Sequence, residues 1–478
     1  MTGSSRAAGV ARLASSKAMA SVAALLLLLL AAVCPSPSAQ AAQAADACAG
    51  WRRDGTGVYP DAQPPVKWSA TENVLWKTPL PGKSNASPIL VGDRIFFCSE
   101  PSTLLCASAK DGTILWSRSN TYLDSVPEGP AATALADQAR ADSLHRKLKE
   151  LEADKRQVAD DLKQAPDDAA LKAKLASLER QITDAGEALK YVKYFALPPT
   201  DGPTGYASPT PTSDGTRVYA VFGTGMVACY DLEGRRQWMR LVEKPKSAFS
   251  SSPLLVGGLL LVHFGKATAL DPATGETRWQ AELPYGAQFG SPARMRVGGV
   301  EVVAAPSGEI IRVSDGKILS PQLAYALHSS PIAAGDTFYF IQDNGGAVRL
   351  TPSAGGGVTA ERVWKSPLPW GFYIASPVYA DGLLYTVMDK TFYVLDAGTG
   401  QEVYTQKLDL KDWKFSLVMA GPYLYCSNEH GETLVIQPGR KFKEIAHNTL
   451  GSFWASPIFS GKRMYIRGQA NLYCVGSE

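Results

Sequence analysis

Along most of the chain, short apolar runs alternate with polar residues and end at Gly, Asp-Gly or Pro, the period-two pattern of half-buried β-strands between tight turns. The pattern recurs every 39 to 46 residues, a spacing that predicts four-stranded units stacked around an axis. Its clearest marker is a small residue, then Ser-Pro, then an apolar strand, with prolines at Pro88, Pro209, Pro253, Pro292, Pro331, Pro377 and Pro457. Between Pro377 and Pro457 the gap doubles, and FSLVMAGPYLYCSNEHGETLVI fills it as a unit without the proline. Seven marked units and this one make eight. A proline opening the innermost strand is tolerable because that strand is a sheet edge facing the channel. The fold predicted is all-β, an eight-bladed β-propeller.

Closure of the ring is also legible. LWKTPLPG at 75–82 is nearly repeated by VWKSPLPW at 363–370, which ends the fifth unit. The first copy therefore reads as an outer strand without a blade of its own. The last unit, from Pro457, has three strands and lacks its fourth. Pairing of N- and C-terminal strands completes blade eight and removes the open sheet edge.

One stretch breaks the pattern. Residues 131–195 hold 12 acids, 12 bases and a single glycine. Leu171, Leu175, Leu178, Ile182, Ala185, Leu189 and Val192 step by four and three, as do Leu144, Leu148, Leu151, Val158 and Leu162, with Lys155 interrupting. That spacing predicts an inserted antiparallel coiled-coil hairpin of two helices. Pro166, Asp167 and Asp168 supply the turn and the cap of the second helix. The insertion is either a passive surface element or an arm for partner binding or dimerisation.

The N-terminus reads differently again. Arg6, Arg12 and Lys17 precede the apolar run Ala18 to Val33, and a small, polar stretch follows. This order is that of a secretory signal peptide, with cleavage after Ala41 or Ala44. Cys34 offers a lipidation site, although Val33 stands where a small residue is expected. The chain thus divides into a signal peptide (1–41), an N-terminal extension (42–72), the closing strand and blade one (73–130), the hairpin (131–195) and blades two to eight (196–478). Removing the three leading bases from 48 leaves 45, equal to the 45 acids. A neutral balance gives no electrostatic footprint for nucleic acid or an anionic membrane. Six cysteines follow the signal, none in a CxxC or vicinal pair. Cys98 and Cys106 sit where one hairpin could join them.

ALDPATGETRW, from Ala269 through Asp271, Thr274 and Gly275 to Trp279, resembles the tryptophan-docking motif of PQQ-like (quinoprotein) propellers. Weaker copies end at Trp116, Trp238 and Tyr404, and Trp76 and Trp364 stand in the related outer strands. The resemblance implies that these aromatics pack between neighbouring blades, each burying roughly 150–250 Å². Some members of the group are PQQ- and calcium-dependent dehydrogenases with a vicinal disulfide, calcium ligands and a catalytic aspartate. No motif here carries those residues, and the five histidines lack metal-ligand spacing. The resemblance is also to the propeller subunit of the outer-membrane β-barrel assembly machinery. It implies a cofactor-free scaffold in the periplasm or cell envelope that binds envelope proteins or peptides. A quinoprotein dehydrogenase using PQQ with calcium is one alternative; a carbohydrate- or peptide-sensing module is another. For the last, the residue three before each proline position is of interest. Tyr206, Phe289, His328, Phe415 and Trp454 there supply rings that either line a ligand funnel at the channel mouth or pack against the next blade.

Overall fold

A computed structural model describes residues 50–125, 131–192, 197–200, 202, 204–283, 289–354, 357–411 and 414–477. The expected signal peptide, Cys34 and Cys48 lie outside them. Eight antiparallel sheets follow one another along the chain. Blade three is typical: Leu254–Val256, Leu259–His263, Lys266–Leu270 and Thr277–Glu282 pair in order from the axis outward. Its middle strands are almost wholly buried while the outer one alternates, as expected where only one face of an edge strand meets a neighbour. In blade eight the outer strand is Val74–Pro79, paired antiparallel to Asn471–Gly476 with Trp76 opposite Cys474. The ring is closed by its two ends, as the repeated LWK and VWK segments predict.

Two helices, α1 (Ala131–Gln164) and α2 (Ala169–Val192), form a hairpin inserted after blade one. At 1.5 Å per residue, 34 residues make α1 about 51 Å long. Leu151, Val158 and Leu178 are buried between the helices, with Leu162, Leu171, Leu175 and Ile182 packed on them. Lys155 interrupts the apolar seam and reaches Glu179 at 2.9 Å. Asp168 caps α2, its Oδ1 accepting the N–H groups of Ala170 and Leu171 at 2.8 and 3.0 Å. Among the described residues no helix is long and apolar enough to cross a membrane.

The segment before the closing strand has its own course. Gly50 lies against Thr212 of blade two. The Arg52 guanidinium donates to the carbonyls of Pro377 and Leu417, in blades six and seven, at 2.9 and 2.8 Å. Val58–Tyr59 then pairs in parallel with the inner strand of blade seven, Phe415–Ala420, as a fifth strand. Farther on, Gln63 donates its N–H to Gly461 at 2.7 Å. Asn448 grips the chain at both Trp68 N and Val66 O, each at 2.9 Å. Residues 50–68 therefore cross the axis from blade two to the seam between blades six and seven, then run outward between blades seven and eight to Asn448 on the outer strand of blade seven. Nothing in the repeat pattern announces this path.

The cysteines resolve simply. Cys98, Cys106, Cys229, Cys426 and Cys474 are all free and buried, so they are reduced core residues and the bridge that one hairpin could have allowed between Cys98 and Cys106 is not made. Cys98 faces Leu104 and Cys106 faces Phe96 across their hairpin, a register that never sets the sulfurs opposite each other. Burial pushes all five thiols up to about 12.

Candidate functional site

The seams between blades come first, because they hold the axial site in shape. Trp238 on the outer strand of blade two lies on Gly275 of blade three and donates its indole N–H to Pro272 O at 2.9 Å. Trp116, Trp279 and Trp364 repeat the arrangement on Gly234, Gly316 and Gly400, with indole bonds of 3.0, 2.8 and 3.0 Å to Leu232, Val313 and Ala397. Trp76 covers Gly112, which joins blade eight to blade one. A Cβ on Gly275 would stand 2.6 Å from the Trp238 ring, and its φ of 73° is one that L side chains rarely adopt. Asp271 Oδ1 accepts the N–H groups of Ala273 and Thr274 at 2.7 and 3.2 Å, and Thr274 Oγ1 accepts that of Glu276 at 3.3 Å. The Arg278 side chain bonded to Asp271 holds that carboxyl below its usual range. Ala269 is fully buried opposite Trp279. At blade six the aromatic is Tyr404, whose buried hydroxyl finds no partner among the described residues.

On the axis, the Ser of each Ser-Pro marker ties one blade to the next. The backbone N–H of Ser87 donates to Thr210 Oγ1, that of Thr210 to Ser252 Oγ, and that of Ser252 to Ser291 Oγ, each at 3.0 Å. Ser291 continues to Ser330 at 2.9 Å and Ser330 to Ser376 at 3.0 Å. Ser456 returns to Ser87 at 2.9 Å, and its own Oγ lies 2.7 Å from Ser416 Oγ. Between blades six and seven Arg52 makes the tie. Its guanidinium is fully buried, with Nε and Nη1 unpartnered among the described residues. Desolvation lowers its pKa to about 10.

Above this collar opens a cup of about 490 Å³. Trp51 and Arg52 line its floor, so the axial cavity is closed beneath by the chain's own N-terminal segment. Phe289, His328 and Trp454 line the walls. The Phe289 and His328 rings lie 5.2 Å apart. Phe372 extends the row, 5.3 Å from His328, and Trp370 stands 5.9 Å beyond it. Neither Phe372 nor Trp370 is in the expected set. They belong to the loop before the marker, where the repeat offers no register. On the other wall the Lys414 ammonium sits 4.0 Å above the Trp454 ring and 3.2 Å from Glu429 Oε2.

The other two candidate funnel residues differ, and only Tyr206 needs correction. Tyr206 lies off the cup: its hydroxyl donates to Pro198 O at 2.8 Å and its N–H to the Glu100 carboxylate. The sequence there reads Ser208-Pro209-Thr210-Pro211, and the hydrogen-bond ring selects the second pair, which places Ser208 at the mouth. Phe415 touches the cup but is mainly buried in the core between blades six and seven. In that blade the inner hairpin turns between Ala420 and Tyr423, which makes Leu417 the equivalent of the missing proline and Lys414 the mouth residue.

A closed ring of eight four-stranded blades, seamed by tryptophan on glycine, defines a propeller of the PQQ-like class. Residues 61–150 and 200–358 match the family described as outer membrane protein assembly factor BamB, and the chain belongs to that family. No curated protein sequence matches it. Among solved structures it is similar to BamB from Moraxella catarrhalis, at 11% identity and a TM-score of 0.52, covering 85% of this chain and 97% of that one. It is also similar to a europium-containing methanol dehydrogenase, at 11% identity and a TM-score of 0.51, covering 90% of this chain and 98% of the other. At that identity the likeness is one of fold.

Proposed function

We propose that this chain is a non-catalytic scaffold of the cell envelope, binding protein partners in the assembly of outer-membrane proteins. The observation that carries the reading is the match to the assembly-factor family across both sides of the helical insertion. The donor set of the cup supports it. Calcium is held by six to eight oxygens with several carboxylates among them. Among the described residues Glu429 is the one carboxylate of the cup, and Lys414 already binds it. No group of three His, Cys, Asp or Glu that could hold a metal occurs among the described residues. A PQQ-calcium centre does not suit such a wall. Partners would dock on loops or along α1 and α2, whose exposed faces are dense in both charges.

The test is a calorimetric titration of the exported, processed chain with PQQ, with and without calcium, beside affinity capture from envelope extracts. No heat of PQQ binding and specific retention of outer-membrane assembly components are expected. Tight, saturable, calcium-dependent PQQ binding overturns the scaffold in favour of a dehydrogenase.

A further inference from the structure

We propose that the axial cup is a binding site for a short carbohydrate, two or three sugar rings entering end-on and stacking against its aromatic wall. The wall on the side of blades four to six is a row of rings, Phe289, His328 and Phe372, carried to the lip by Trp370. Trp370 is 79% exposed and Phe372 52%. Large aromatics held in series at the open end of a cavity leave apolar faces in contact with water, which marks a contact surface. Pyranose rings present a flat C–H face that packs on such rings, while their hydroxyls need partners at the edges.

The sides formed by blades seven and one supply those partners. Asn85, Lys414 and Glu429 line them, and the buried Glu429 Oε1 accepts from no donor among the described residues. Below them, the hydroxyls of Thr210, Ser252, Ser291 and Ser330 each accept a backbone N–H from the preceding blade. An oxygen that accepts in this way keeps its own proton to donate. One stacking wall, one wall of mixed polarity and a collar of hydroxyls fit a polyhydroxylated ring better than an apolar or a strongly charged ligand. The cup's volume lies within the ~300–1,000 Å³ of small-molecule sites.

The closed floor fixes how such a ligand enters. Trp51 and Arg52 bar passage along the axis, so a polymer could insert only its end. An extended peptide is disfavoured, because the inner edge of blade seven is already paired with Val58–Tyr59. The site is independent of the assembly role: partner capture could fail while sugar binding holds, and the reverse.

The experiment titrates the processed chain with cellobiose, maltotriose, chitobiose and digalacturonic acid, followed by calorimetry and tryptophan fluorescence. At least one should bind saturably with a Kd of about 1 mM or tighter. The doubly substituted chain Trp370→Ala, Phe372→Ala should weaken that binding at least tenfold while its melting temperature stays unchanged, since both side chains are exposed. Absence of binding by all four sugars up to about 50 mM overturns the proposal. So does binding that the double substitution leaves unaltered.

Discussion

The seam between blades two and three and the seam between blades six and seven solve one problem with different parts. At the first, Trp238 covers Gly275 and bonds Pro272, and Thr210 donates to Ser252 near the axis. At the second, Tyr404 replaces the tryptophan, Leu417 the proline, and the turn of blade seven carries Gly439 and Arg440. There Gly439 N–H donates to the Tyr385 hydroxyl at 3.0 Å, and Arg440 reaches Asp396 at 3.1 Å. Near the axis Arg52 clamps the carbonyls of Pro377 and Leu417. The comparison teaches that a degenerate repeat survives where another part of the chain takes over its contacts. The N-terminal segment is the missing half of the six–seven seam.

The regular seam breaks with the largest effect. Trp238→Ala removes a buried indole and its hydrogen bond and should cost about 3–5 kcal/mol, read as a fall in the urea midpoint. Next comes the clamp. Arg52→Ala strands two carbonyls and opens a void, and should cost about 3 kcal/mol. If the segment merely rested on blade seven, that substitution would leave the midpoint within about 0.5 kcal/mol. Acid should then distinguish the two seams. His263 of blade three is buried against Phe249 at 5.6 Å, and desolvation lowers its pKa to about 4. Its folded pKa lies below the unfolded value, so the stability it contributes is complete above pH 6.5. That contribution is lost as the pH falls from 6.5 towards 4, by up to about 3 kcal/mol. His263→Leu should flatten that part of the stability curve, and an unchanged slope would remove His263 as its cause. The smallest effect belongs to Tyr404→Phe, which deletes an unpartnered buried hydroxyl and should leave stability equal or raised by less than about 1 kcal/mol.

What the sequence reveals follows from what repetition encodes. Blade number, tryptophan docking and closure by the LWK strand are legible because each blade must meet its neighbour in the same way, and the same residue types recur at the same spacing. The α1–α2 insertion is legible for the opposite reason: its period changes from two to three and four. The cup is legible only in part. Phe289, His328 and Trp454 are found by counting back from a proline. That count slips where Ser208-Pro209 and Thr210-Pro211 offer two registers, and where blade seven has no proline at all. Trp51 and Arg52 escape the count entirely, because a segment used once leaves no periodic trace. The carbonyl partners of Arg52 lie more than 300 residues away.

That separation bears on how the molecule is made. Arg52 meets Leu417 across 365 residues, and Val74 pairs with Val475. During synthesis the segment around Arg52 therefore emerges with nowhere to settle until blade seven exists, and the strand from Val74 waits for the last blade. Contacts this distant in sequence make for slow folding, and loop-closure entropy must be met before they contribute. Truncation in the last blade should release the closing strand Val74–Pro79 and leave an open edge there, while Arg52 keeps both of its carbonyl partners in blades six and seven. A protease probing near residue 50 would thus report on whether blade seven had been made.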